Sequence, residues 1–257
     1  MVIPKRAPLT TRQLRVFALE GIPEVEEGDD LAALIVEASE RAGGLEDADV
    51  VVVAQKVVSK VEGRVVRLDD VEATERAREL AASERDARHV QVVLDESARV
   101  VRSRPPLLIA ETRHGFVCAS AGVDASNAKG PGTVVLLPLD PDASAARIRD
   151  GLRSRSGRDV GVVVTDSFGR AWRQGTTDVA LGVAGIEALR DLRGVRDGAG
   201  YVLQGTQIAV ADELAAAAEL VLGKTSGCPA AVVRGLDVRG AGSGRDLVMP
   251  PERDLFR

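Results

Sequence analysis

The sequence predicts an α+β fold built on mixed sheets. Two short apolar runs, DVVVVA at 49–54 and DVGVVVT at 159–165, read as strands buried on both faces. ADELAAAAELVLG at 211–223 is alanine-rich helix-forming sequence. Strands and helices are mixed without a clean βαβ repeat or internal period, which favours α+β over a doubly wound sheet.

Taken in order, residues 1–13 are polar, carry two prolines and read as a loosely held arm. A strand over Leu14–Leu19 runs into the sharp turn Gly21-Ile22-Pro23. Leu31, Leu34, Ile35 and Ala38 then fall on one helical face, with Asp29 or Asp30 as N-cap and Gly43-Gly44 as the stop. The buried strand at 49–54 leads into Gln55-Lys56-Val57-Val58-Ser59-Lys60. Residues 72–88 have helical spacing; 90–94, 106–110, 115–119 and 133–137 read as strands. A helix is expected near 142–154. The strand at 159–165 is expected to end at Asp166, leaving the carboxylate at the carboxyl end of a buried strand. The apolar, glycine-punctuated stretch 179–185 fits no single element. After a strand at 206–210 come the alanine-rich helix, a turn at 224–229, a strand at 230–235 and an irregular tail.

Composition excludes several functions. At 257 residues the chain can bury a core without disulfides or structural metal. A net charge of −5 with mixed signs is no polybasic footprint for nucleic acid or an anionic membrane. An aromatic fraction of 2% supplies little base-stacking surface. No run approaches the ~20 apolar residues of a membrane span, and the N-terminus has no signal-peptide core, so a cytoplasmic location is expected. Cys118 and Cys228 lie far apart and read as small buried residues.

Common catalytic signatures are missing: GxxxxGK[ST], a strand-end GxGxxG and GxSxG are all absent. His89 and His114 stand alone, as surface or packing histidines do. Acids remain. Asp166 has Ser167 beside it, and Asp124 lies in a polar loop with Asn127 three residues on. Carboxylate, hydroxyl and amide oxygens are the hard donors that Mg²⁺ or Mn²⁺ prefers. The alternative for each aspartate is an ordinary turn cap. Lys56, Lys60, Arg170, Arg173 and Lys224 could clamp phosphates. Singly, each reads more readily as a solvated surface charge, and it is the combination that points to phosphate.

Six ordered segments then carry a resemblance: EGIPEVEEGDDLA at 20–32, DVVVVAQKVVSKVEGR at 49–64, AGVDASNA at 121–128, VVVTDSFGRAWRQG at 162–175, ADELAAAAELVLGK at 211–224 and CPAAVVRGL at 228–236. The chain resembles the coenzyme F420-0:γ-glutamyl ligases, above all the ligase module of the two-domain actinobacterial proteins. That resemblance implies a compact, two-lobed α+β ligase domain over 14–245 and a homodimer. A tail follows at 246–257, where a flavin-binding nitroreductase-like domain begins in the actinobacterial proteins.

It also implies a GTP-dependent enzyme that joins L-glutamate to F420-0 and extends a γ-linked tail. The reaction would pass through an acyl phosphate, releasing GDP and phosphate. Mg²⁺ or Mn²⁺ would assist, with a K⁺ requirement left open. By position Asp124 and Asp166 match a first metal site, and Ser167 supports a second. Asp124, Asp166 and Lys60 match the catalytic positions. Ile22, Pro23, Glu24, Val25, Gln55, Lys56, Lys60 and Asn127 match nucleotide-lining positions. So does the loop Leu222, Gly223, Lys224, Thr225, Ser226, Gly227, Cys228 and Pro229. Asp212 and Glu213 match the family too, or simply complement a helix N-terminus. Trp172 and Phe168 are expected to pack the loop carrying Asp166. Lys224 departs from the family, many of whose members place a metal-ligating Gln there, and an ammonium cannot ligate a cation. That departure leaves open a GTP- and metal-binding regulatory module without turnover.

Overall fold

The computed structural model describes residues 13–128 and 130–255. Residues 1–12 of the expected arm, and Phe256 and Arg257 of the expected tail, lie outside the described residues. In chain order the elements are β1 (Arg15–Ala18), α1 (Leu31–Arg41), β2 (Val50–Ala54), α2 (Gln55–Val61), β3 (Val65–Arg67), α3 (Glu75–Ala81) and α4 (Ala87–Asp95). There follow β4 (Ser97–Arg104), β5 (Leu107–Thr112), β6 (Val117–Ala119), β7 (Thr133–Val135), α5 (Pro141–Ser156), β8 (Gly161–Gly169) and β9 (Thr176–Ala184). The last are β10 (Arg190–Asp191), β11 (Gln207–Ile208), α6 (Val210–Leu222) and β12 (Ala230–Arg234).

The fold is α+β with mixed sheets. Its main sheet has the order β1-β12-β2-β8-β9, in which β2 and β8 are parallel and the other neighbours antiparallel. The unbroken valine runs are explained by burial on both faces. Val51, Val53, Val162 and Val164 pack under α1 and α5, while Val50, Val52 and Val163 pack under α6. Each such side chain stabilises the fold by roughly 1.5–3 kcal/mol. Asp30 caps α1, its carboxylate accepting from the Ala33 N–H at 3.0 Å. Gly182 lets β9 meet the start of α5: a Cβ there would lie 2.0 Å from the Pro141 carbonyl oxygen.

Between α2 and α5 the chain leaves the sheet to build a second lobe with its own core. Leu68, Ala77, Val90, Val93, Ala110 and Val134 are buried there together. Gln55 joins the lobes, its amide donating to Ser59 Oγ at 2.6 Å and to the Leu136 carbonyl at 2.7 Å.

Several local expectations are corrected. The stretch 90–94 is helix, not strand: Asp86 caps it, accepting from the Arg88 N–H, and Val90 and Val93 share the buried face. The single helix expected over 72–88 breaks because Ala82 and Ser83 have φ of 47° and 61°. Strand β4 was missed because its face is mostly solvated and its sequence charged. β8 does not stop at Asp166. Its apolar run ends at Thr165, but the backbone stays extended to Gly169 because β9 pairs with it throughout, across an irregularity at Val164/Thr165. The stretch 179–185 is therefore mostly β9, and its glycines serve close packing. The strand expected over 206–210 shrinks to Gln207–Ile208, since Val210 already opens α6. The tail contains two short 3-10 turns, Gly244–Leu247 and Pro251–Arg253.

Candidate functional site

Two cavities meet at Lys224. The larger, of about 460 Å³, lies between α2, the chain before α1 and the loop after α6; it is lined by Ile22, Pro23, Glu24, Lys56, Lys60, Asn127, Gly223, Lys224, Thr225, Gly227, Cys228 and Pro229, with Ala54, Val57 and Ala128. The smaller, of about 200 Å³, is lined by Asp124, Asp166, Ser167, Phe168 and Lys224 together with the chain from Cys118 to Val123. Segments remote in sequence thus converge. Four expected residues do not line either cavity. Val25 and Leu222 are buried, and Gln55 points to the lobe junction. Ser226 Oγ accepts from the Cys228 N–H at 3.1 Å, shaping the loop.

Lys56 and Lys60 lie one turn apart on α2, and both are turned inward. A buried ammonium requires a partner, and each has one: Lys56 Nζ is 2.6 Å from Asp124 Oδ2, and Lys60 pairs with Glu24. Lys56 also donates to Ser126 Oγ at 2.6 Å. Asp124 is held in register by backbone pairing with Val135 on β7, and its Oδ1 accepts the Ser126 N–H at 2.7 Å. Burial pushes the Asp124 carboxyl up, but Lys56 and Ser126 outweigh it, leaving the group below the usual carboxylate range.

Asp166 is different. Burial pushes its carboxyl up to about 6, against the opposing effects of the Ser167 N–H and the charges of Lys56 and Lys224; Asp124 adds to the rise. Beside it Lys224 donates to Ser167 Oγ, which in turn donates to Asp178. Asp178 is buried on β9, where the Thr165 hydroxyl, 3.3 Å away, also meets its carboxylate. Its backbone N–H donates to Glu219 of α6 at 3.2 Å. The turn that delivers Lys224 starts at Gly223, whose φ of 60° and ψ of 163° end α6.

Sequence reasoning missed Ser126 and Asp178. The Asp-Ala-Ser spacing at 124–126 is an Asx-turn signal that could have revealed the first. An acid inside an otherwise ordinary strand was the only sign of the second. Arg170 and Arg173 do not reach either cavity, because the continued hairpin carries them to its exposed turn; Arg170 donates to the Gln174 carbonyl there. Phe168 packs edge-on against Phe116, whereas the Trp172 side chain is 82% exposed. Asp212 accepts the Ala180 N–H at 2.9 Å and so ties α6 to β9. Cys118 is buried as expected, its thiol pushed up to about 12 chiefly by burial; Cys228 is half-buried at the larger cavity.

Among the described residues, no three His, Cys, Asp or Glu side chains converge as a metal cage. Asp124 and Asp166 nevertheless suit a hard divalent ion whose remaining ligands are water and phosphate oxygens, the mode in which Mg²⁺ is commonly held. The raised carboxyl of Asp166 marks a buried charge that a cation would relieve. Among the described residues, no helix is long and apolar enough to cross a membrane.

Comparison with known proteins gives this arrangement its class, that of a bond-forming enzyme, a ligase. The family profile described as F420-0:Gamma-glutamyl ligase matches residues 21–235, and the chain belongs to that family. It is 44% identical to the coenzyme F420:L-glutamate ligase of Archaeoglobus fulgidus over 247 residues, covering 95% of this chain and 97% of the relative. It is also 44% identical to the protein of that name from Methanopyrus kandleri, over 95% of this chain and 99% of the relative. With the Methanothermobacter thermautotrophicus protein of the same name the identity is 41%, over 95% and 99%.

Proposed function

We propose that the protein uses GTP to join L-glutamate to coenzyme F420-0 through an amide bond, and then extends the tail by γ-linked glutamates. One observation carries the nucleotide part of this reading. The cavity holding Lys56, Lys60 and Lys224 opens beside the pair Asp124 and Asp166, as a triphosphate chain with a divalent counter-ion requires. The acceptor and the amino acid follow from the names of the relatives.

In this reading an acceptor carboxylate oxygen attacks the γ-phosphorus, the bond to the β-phosphate oxygen breaks, and GDP leaves. The amine of glutamate attacks the acyl carbon of the resulting acyl phosphate, loses a proton, and inorganic phosphate departs. Asp124 and Asp166 would hold Mg²⁺ or Mn²⁺; Ser167 would meet a second ion only once Lys224, which donates to its hydroxyl, had moved off it. Bound there, the metal supplies charge neutralisation for phosphate oxygens. Lys56 stays tethered by Ser126 and Asp124 while offering charge to the phosphates; Lys60, fixed by Glu24, lines the same cavity. Lys224 lines both cavities, and in this reading it would meet the phosphates. Catalysis of this kind rests on positioning and electrostatics more than on covalent participation.

We further propose a homodimer. The exposed apolar side chain of Leu107, on the sheet β4-β5-β6, supports that reading. The enzymatic proposal is tested by incubating the protein with F420-0, glutamate, GTP and Mn²⁺ and weighing the product. Glutamylated F420 with matching GDP release is expected. No glutamylated product and no GDP release would overturn it.

A further inference from the structure

A third cavity, of about 580 Å³, abuts the carboxylate pair on the side away from the nucleotide cavity's lysines, and the mechanism above does not use it. Phe168 is the shared wall: it lines both this cavity and the small one containing Asp124 and Asp166. Strand β6 shows the same division, with Val117 facing the large cavity and its neighbour Cys118 the small one. The remaining surface is largely apolar, from Phe116, Val179 and Met249. The chain has only four phenylalanines, and two of them meet here, Phe116 and Phe168, with ring centroids 6.3 Å apart at 75°. His114 stacks behind Phe116 at 5.7 Å.

We infer that this cavity seats the planar heteroaromatic ring system of the acceptor, with its carboxylated tail passing Phe168 to reach Asp166 and Ser167. The assignment rests on the ligase reading. A volume of 580 Å³ falls within the roughly 300–1,000 Å³ of small-molecule sites, and apolar walls with a few polar groups are their usual lining. The charges separate the two substrates. Lys56 and Lys60 face the other cavity. Here Arg99 is committed to Glu111 at 2.6 Å, and Arg253 shares the walls with the acids Asp212 and Asp254, in place of a cluster of lysines. Arg253 lines the same cavity, where it would meet an anionic group on the acceptor. Asp212 supplies an acceptor oxygen on the wall, its carboxyl fixed by the Ala180 N–H. Nucleotide and acceptor thus approach the same carboxylate pair from opposite sides of β8, as in-line transfer between them demands.

The test titrates F420-0 into wild type, Val117→Trp and Met249→Trp, following the fluorescence of the deazaflavin, while GDP with Mn²⁺ is titrated separately by calorimetry. Both positions are partly exposed, so the larger ring is accommodated at the cavity without disturbing the cores. F420-0 affinity is expected to fall at least tenfold in each variant, with GDP affinity within twofold of wild type. Unchanged F420-0 affinity in both variants, including the case where only the oligomeric state changes, would overturn the assignment and leave the ligase reading standing. Wild type that binds GDP but no F420-0 would overturn both.

Discussion

Lys56 Nζ lies 2.6 Å from Asp124 Oδ2 and so ties the helix after β2 to the loop that pairs with β7. One contact thereby connects the two lobes, positions the first carboxylate and holds a cation at the boundary of both cavities. With nucleotide bound, the ammonium would offer its charge to the phosphates while staying tethered to Asp124 and Ser126. Lys56→Met is expected to weaken GDP binding by tenfold or more, in line with the ~1.5–3 kcal/mol of a charged hydrogen bond. Calorimetry with GDP and Mn²⁺ checks it, and circular dichroism confirms that the fold is retained.

Asp124→Asn and Asp166→Asn are each expected to lower turnover by about 100-fold or more, because an amide is a poor ligand for a hard cation. The readout is GDP release in the presence of F420-0, glutamate and Mn²⁺. Turnover at the wild-type level in either variant would remove the metal from this pair.

The raised carboxyl of Asp166 sets a pH dependence. Its folded value of about 6 exceeds the unfolded value of ~3.9, so the folded protein binds the extra proton between those limits. Above about pH 6 the buried charge costs stability, and the cost fades as pH falls through 6 towards 4. Without metal, Asp166→Asn is therefore expected to be more stable than wild type at pH 8, by at most about 2 kcal/mol after allowance for partial exposure. Chemical denaturation at pH 8 and pH 4 should show the gap closing. Mn²⁺ competes with the same proton, so wild-type affinity for Mn²⁺ should drop below pH 6.

Gly182 gives a prediction about the fold alone. A methyl group there would collide with the Pro141 backbone, which cannot rotate away as a side chain can. Gly182→Ala should cost about 1–3 kcal/mol, the usual range for overpacking. Thermal denaturation measures it, and a change within 0.5 kcal/mol, the range ordinary for an unconstrained surface position, would show that β9 and α5 have more room than this.

The main sheet was legible because its central strands are buried on both faces and write themselves as valine runs. Strand β4 was not, since a solvated strand of arginines and serines lacks that pattern. The helix at Ala87–Asp95 was misread because Val92 and Val93 suggest a strand, while the Asp86 cap and the Val90–Val93 spacing decide otherwise. At the site, Asp124, Asp166 and the lysines could be picked by residue type and local context. Their meeting depends on the excursion through the second lobe, which no local window contains. Ser126 and Asp178 act through partners distant in the chain or hidden within a strand, so their roles emerge only from the folded geometry.

The central claim is that Asp124 and Asp166 together hold a divalent metal against the phosphates of a guanine nucleotide. Anomalous diffraction from crystals grown with GDP and Mn²⁺ tests it most directly. A manganese peak between the two carboxylates is expected, with GDP in the cavity of Lys56, Lys60 and Lys224. Manganese bound elsewhere, or GDP bound with no manganese between the two aspartates, would contradict it.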